Sequence, residues 1–383
     1  MSDWQFHNPV RVRFGVDALD AIGEVLAGRA YAIVTYPDTA FLAPCARIEA
    51  IAGPALLRID SVEANPSVTM LREACAALAA LPAMPEVLVA LGGGSVMDTA
   101  KVLAAEHGRL EPVLAWIADG RTRRAERALP IVAIPTTSGT GSEVTSWATV
   151  WDPEHDRKLS LARDDLYPET VLVDPRLVVG LPPAPTLASG LDALSHALES
   201  IWNRNANPVT RGLAVDAARE IQQALPRVMA APGDLDARSA MALGALRAGL
   251  AFSNTRTALA HNISYAITLH HGVAHGMACS FCLPAVMRSA IGVDAACDRA
   301  LAEVFGSLEA APRVLEQFLE SLGVRCEPAA YGIEQDEWQD IVASAFEGAR
   351  GRNFIGAPAR FPQFDFPGRG TERALAVIVR RTS

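Results

Sequence analysis

The sequence predicts an α/β half over residues 1–182 joined to an all-helical half over residues 183–383. Three observations carry this reading. The chain has 383 residues, more than one ordinary hydrophobic core supports. Up to residue 182, short β-branched runs alternate with helical stretches, the pattern of βαβ units around a mostly parallel sheet. After Leu181-Pro182-Pro183 strand-like runs nearly vanish, so the proline cluster reads as the hinge.

In order, Val10 to Phe14 reads as a strand, Ala18 to Leu26 as a helix and Tyr31 to Thr35 as a strand. Ala55 to Ile59, Glu86 to Leu91, Leu129 to Ile134 and Thr170 to Val173 are the remaining strands, with a helix over Val68 to Leu81. In the second half, Thr186 to Trp202, Val209 to Leu225, Asp236 to Ser253 and Ala295 to Leu322 carry Ala and Leu at helical spacing. The stretch from Arg352 to Arg369, rich in Gly, Pro and Phe, reads as an irregular wrap.

Composition narrows the function classes. Apolar residues make up 50% of the chain and charged residues 20%, an ordinary soluble composition. A net charge of −9 argues against a general nucleic-acid binder, which needs a cationic surface to displace counterions. No apolar run reaches the length of a membrane span, and Met1 to Gly15 shows no apolar core of a secretion signal. Six scattered cysteines suit reduced thiols in the cytoplasm, with Cys279 and Cys282 read as packed core. A homo-oligomer is the expected assembly.

Two loops point to a phosphate-bearing ligand. The apolar run Val87 to Leu91 enters Gly92-Gly93-Gly94, and Ser95 opens a helix over Val96 to Glu106. Such glycines let backbone approach a diphosphate, and the new helix supplies N–H donors and a positive dipole end. Ser95 and Asp98 have the spacing of a capping box. The second loop, Pro135-Thr136-Thr137-Ser138-Gly139-Thr140-Gly141-Ser142-Glu143, follows Ile131 to Ile134. Its hydroxyls suit phosphate, ribose or an amide, although alone it would pass as a polar loop satisfying its own backbone. In an open α/β sheet both loops fall in the crevice beyond the strands' carboxyl ends.

Five of the eight histidines lie between residues 196 and 275. Asp192 and His196, four apart on a helix, project from one face as a metal platform requires; a plain helical Asp–His hydrogen bond is the simpler alternative. His261, His270, His271 and His275 follow, and spacing does not rank them. A carboxylate with imidazoles suits Fe(II), Zn(II) or Mn(II) with positions left for substrate. A two-His-one-carboxylate oxygenase site is the rival, and it leaves the glycine loops unused.

The segments GGGSVMDTAK (Gly92 to Lys101), IPTTSGTGSE (Ile134 to Glu143), GLDALSHALE (Gly190 to Glu199) and HGMACSFCLPAVMR (His275 to Arg288) resemble the iron-containing (group III) alcohol dehydrogenases. The resemblance runs through nearly the whole chain in order. It implies a Rossmann-like dinucleotide-binding domain followed by a helical metal-binding domain, the architecture shared with dehydroquinate synthase. It also implies Asp192, His196, His261 and His275 as metal ligands, Fe(II) or Zn(II) as the metal, and hydride exchange between NAD or NADP and a small aldehyde or alcohol. Cofactor contacts are expected from Gly92, Gly93, Gly94, Ser95, Asp98, Thr136, Thr137, Ser138, Thr140 and Ser142. NAD-preferring members carry an Asp where this chain has Tyr36, so NADP(H) is allowed; Asp38 remains able to take the ribose hydroxyls. His271 is the expected proton carrier.

Within the family, Asn254 to Gly276 looks more like the phosphonoacetaldehyde reductase branch, with Tyr265 where many members carry a second His four residues after His261. That branch implies phosphonoacetaldehyde as substrate and 2-hydroxyethylphosphonate as product. Arg256 is expected to clamp the phosphonate. The alternatives are a general short-chain alcohol or lactaldehyde-type dehydrogenase, then a maleylacetate reductase or a dehydroquinate synthase-type lyase. A non-enzymatic metal binder gives no use for the two loops.

Overall fold

A computed structural model describes residues 3–119, 127–155, 157–364 and 366; the end of the Arg352–Arg369 stretch therefore lies outside the described residues. The strands are β1 (Arg11–Phe14), β2 (Tyr31–Val34), β3 (Leu57–Ile59), β4 (Val87–Gly92), β5 (Ile131–Pro135), β6 (Trp147–Asp152), β7 (Arg157–Ala162) and β8 (Thr170–Val173). The first-half helices are α1 (Ile22–Leu26), α2 (Leu42–Ala52), α3 (Val68–Ala79), α4 (Gly94–Ala105) and α5 (Leu110–Asp119). They are followed by α6 (Pro183–Ile201), α7 (Pro208–Ala230), α8 (Leu235–Thr255), α9 (Leu259–His271) and α10 (His275–Ser280). The last are α11 (Leu283–Ala290), α12 (Ala295–Phe305), α13 (Ala311–Ser321) and α14 (Gln335–Glu347).

Six strands form one parallel sheet in the order β1-β8-β5-β4-β2-β3. Its central strands β4 and β5 are buried throughout, as continuous apolar runs require when both faces are covered. One apolar cluster packs Leu71, Leu88 and Val102 on one face, and another packs Ile22, Ile33 and Val89 on the other. Gly92 pairs with Pro135, which puts the glycine loop and the second loop side by side at the carboxyl edge.

Two expectations are corrected. An antiparallel hairpin stands where no strands were expected: β6 pairs with β7, and Trp151 faces Lys158. Its short connection and half-polar strands resemble loop on inspection. The single helix expected over Ala295 to Leu322 is two, α12 and α13, because Gly306 adopts φ 77° and a left-handed glycine ends a helix.

The helical half is organised around α6, whose residues from Gly190 to Ile201 are all buried. It begins at Pro183, the first-turn position where proline's missing N–H costs nothing. A Cβ at Gly276 would sit 1.8 Å from the Ala188 carbonyl oxygen, so only glycine lets α10 press this closely on α6. Among the described residues, no helix is long and apolar enough to cross a membrane.

Candidate active site

The two loops pack directly on one another. A Cβ at Gly93 would meet Thr137 at 3.1 Å, and one at Gly94 would meet the Thr140 side chain at 2.8 Å. Backbone approach at this edge therefore depends on the glycines. The Tyr36 hydroxyl lies 3.2 Å from the same Gly93 position and bonds to Ser95, while burial pushes its pKa up. Asp38 is exposed and its charge reaches Tyr36. Thr136 donates its backbone N–H to Gly92; Thr136 and Ser138 are buried.

Asp98 and Ser142 are corrected from cofactor contacts to an internal brace. Ser142 Oγ donates to Asp98 at 2.7 Å, and the Thr149 N–H donates to its other oxygen at 2.8 Å. Beside them the fully buried Lys101 ammonium donates to the Ser142 carbonyl, Ser142 Oγ, Thr145 Oγ1 and the Trp147 carbonyl. Both Asp98 oxygens are thus occupied within the protein. The expected capping box does not form either: α4 starts at Gly94 without a side-chain cap, and Ser95 Oγ accepts from the Asn65 N–H.

The second loop also abuts the histidine cluster. A Cβ at Gly139 would lie 2.5 Å from the Ser189 carbonyl oxygen, one helical turn before Asp192. Around Asp192 Oδ1 stand His261 Nε2 at 3.4 Å, His196 Nε2 at 3.8 Å and His275 Nε2 at 3.9 Å. Ligand atoms of Asp192, His261, His275 and Cys279 all lie within 4.8 Å of one another. Asp192 Oδ1 and His261 Nε2 are buried without a hydrogen-bond partner among the described residues. Unpartnered buried polar atoms are costly, and a cation at their meeting point satisfies them, so this donor set fits a divalent metal.

Electrostatics support that fit at Asp192, His196 and His275, whereas at His261 burial is outweighed by Cys279, Glu199 and Asp192, which raise its pKa. Burial opposes ionisation of Asp192, yet His196, His275 and His261 hold its carboxyl well below the usual range. Burial pushes His196 down to about 4 and His275 to about 3, which keeps both imidazoles neutral as ligands require. The rings are locked: Phe252 stacks on His196 at 4.0 Å, and His196 on His261 at 4.6 Å.

Four residues near the cluster were missed or misjudged. Glu199 accepts from the backbone N–H of Ala258 and Ala260 and from His261 Nδ1 at 2.8 Å. Its position three residues after His196 on α6 was a readable signal. Cys279, read as core, lies against both His275 ring nitrogens; it follows His275 by four residues on one helix, a legible spacing. Lys158 and Arg350 approach the Tyr265 ring, their charged atoms 4.0 and 4.8 Å from its centroid. Neither had a local signal, since one lies in the unread hairpin and the other just before the irregular stretch. Tyr265 itself is parallel to His275 at 6.2 Å.

Arg256 and His271 are corrected. Arg256 is exposed where α8 ends, at φ 64°, and its charge is felt at Tyr167. The guanidinium beside Tyr265 is that of Arg350. Helix α8 stops at Arg256, a break that five-residue spacing to His261 does not reveal. His271 Nε2 is paired with Glu337 of α14 at 2.7 Å. It lies ten residues after His261 on α9, about 15 Å along the axis, and contributes to no shift in the cluster.

Residues 9–175 match the model of the iron-containing alcohol dehydrogenases, and residues 186–359 match the C-terminal model of the same family. The chain belongs to the iron-containing alcohol dehydrogenase family. It is 34% identical over 277 residues to the NAD-dependent methanol dehydrogenase of Bacillus methanolicus, covering 68% of this chain and 71% of that one. It is 32% identical over 281 residues to the lactaldehyde reductase of Escherichia coli K12, covering 72% of each. Among solved structures, the sulfoacetaldehyde reductase of Bifidobacterium kashiwanohense in complex with NAD+ superposes with a TM-score of 0.85 at 26% identity. That match covers 93% of this chain and 95% of the other. The chain is an oxidoreductase acting on CH–OH groups, and the expected sheet-plus-helices architecture is that of the family.

Proposed function

We propose that this chain reduces a short aldehyde with NADH or NADPH at a divalent metal held by Asp192, His196, His261 and His275, Fe(II) first and Zn(II) second. The carrying observation is the convergence of unpartnered Asp192 and His261 atoms beside the loop that packs on the Gly93–Gly94 turn. In this reading residues 1–182 seat the dinucleotide and residues 183–383 hold metal and substrate. When bound, the metal supplies Lewis-acid polarisation of a carbonyl and the nicotinamide supplies hydride. Glu199 fixes His261 with Nε2 facing the pocket. Phe252 and the His196 ring close one wall against water.

The substrate we propose is phosphonoacetaldehyde, giving 2-hydroxyethylphosphonate. Support comes from the Asn254–Gly276 segment and from likeness to a reductase of another aldehyde, sulfoacetaldehyde. A lactaldehyde-type or general short-chain activity is the second reading, favoured by similarity to the lactaldehyde reductase. NAD(P)H oxidation against phosphonoacetaldehyde, lactaldehyde and propanal, after reconstitution with Fe(II) or Zn(II), tests both. Highest kcat/KM on the phosphonate supports the first; highest on lactaldehyde or propanal replaces it with the second.

A further inference from the structure

We infer that Lys158 and Arg350 together form an anion subsite beside the metal cluster, which selects aldehydes carrying a tetrahedral oxyanion on the adjacent carbon. The inference rests on the aldehyde-reductase reading and deepens it by assigning the selecting residues.

The geometry is unusual for two cations. Both sit on the ring of Tyr265, with Lys158 Nζ at 4.0 Å and the Arg350 guanidinium carbon at 4.8 Å from its centroid. Lys158 also faces the Trp151 ring at 5.3 Å. Neither cation has a carboxylate partner within salt-bridge distance among the described residues, although most of the described arginines do. Lys158 donates no hydrogen bond among the described residues, and Arg350 spends only its Nε, on Thr257 Oγ1 at 3.1 Å. The two terminal nitrogens of the guanidinium remain available as a fork, the geometry that matches a phosphonate or sulfonate.

Two half-buried like charges repel one another, and burial together with Arg350 depresses the Lys158 pKa to about 8. An aromatic face offsets part of that repulsion; a bound anion offsets the rest. The position agrees with the chemistry. Tyr265 is parallel to His275, and the charges of Asp192 and Cys279 reach Lys158, so the cations adjoin the ligand cluster. A two-carbon aldehyde places its carbonyl oxygen and an anionic group on the next carbon at opposite ends of one short molecule. Metal pocket and cation pair match those two ends. A diphosphate is the other anion in this fold, but its cradle is the Gly93–Gly94 and Thr137–Thr140 surface.

The test measures binding and selectivity on the metal-loaded protein with NAD+ present. Calorimetric titration uses ethylphosphonate, ethanesulfonate and propanol as probes, on wild type, Arg350→Gln, Arg350→Lys and Lys158→Met. Expected are a roughly 10- to 100-fold weaker anion Kd in Arg350→Gln and Lys158→Met, with partial retention in Arg350→Lys. The kcat/KM ratio of anionic aldehyde over propanal falls in parallel. The tighter of the two anions in wild type distinguishes phosphonate from sulfonate. An anion that binds wild type and variants equally is held by the metal alone, and that result overturns the subsite, as does no anion binding by wild type. Anion binding that depends on Arg350, in a protein that reduces no aldehyde, leaves the subsite standing and removes the proposed function. Unchanged thermal midpoints in Arg350→Lys and Lys158→Met separate lost binding from lost folding.

Discussion

Glu199 and His261 meet across α6 and α9 at 2.8 Å, and the same carboxylate accepts the backbone N–H groups that open α9. One side chain therefore sets both the tautomer of His261 and the start of the helix that carries it. Such outer partners typically contribute 10- to 100-fold to metal affinity. Glu199→Gln should lower metal retention by about that factor, measured as metal per chain after dialysis against a chelator series. Wild-type retention would show that His261 needs no orienting partner.

A second expectation concerns the α6–α10 crossing. With the Ala188 oxygen 1.8 Å from any Cβ at position 276, Gly276→Ala must push α10 off α6 and carry His275 with it. The overpacking should cost at least about 2 kcal/mol, read from the midpoint of denaturant unfolding, and the variant should bind metal more weakly. Wild-type stability would mean that α10 yields without strain.

Lys158 gives a pH dependence with a defined sign. Its pKa is lowered to about 8 by burial first and by Arg350 second, against the pull of Cys279, Asp192 and Asp98. Its positive charge is therefore complete below that value and lost as pH rises through it. KM for an anionic aldehyde should climb above pH 8, approaching about tenfold per unit at the limit of one lost proton, while KM for propanal shows no such climb. Parallel profiles for the two substrates would exclude Lys158 from charge reading.

His271 is paired with Glu337 of α14, so it is expected to take no part in the chemistry. His271→Ala should change kcat less than about threefold, the scale of a surface substitution rather than of a lost general base. A drop of about a hundredfold or more in stopped-flow hydride transfer would restore it to the mechanism.

The parallel sheet was legible because buried β4 and β5 are unbroken apolar runs, and α6 because its Asp192–His196 face repeats at helical spacing. Gly92 to Gly94 marked the strand-to-helix turn for the same local reason. What escaped was set by contacts between residues distant in sequence. Asp98 looked like a cap for its own helix, yet its partners are Ser142 and Thr149. Arg256 is near His261 in sequence while Arg350, 85 or more residues away, is near Tyr265 in space. Periodicity reports which face a residue occupies, not which distant chain segment arrives opposite it.

The Asp98 brace has one more effect. Its carboxylate grips Ser142 in the second loop and Thr149 in β6, and β6 is zipped to the strand bearing Lys158. Asp98 thus ties the second loop to the hairpin that carries Lys158. Damage at Asp98 would accordingly surface as blurred discrimination among substrates, not only as weaker hold on the nucleotide.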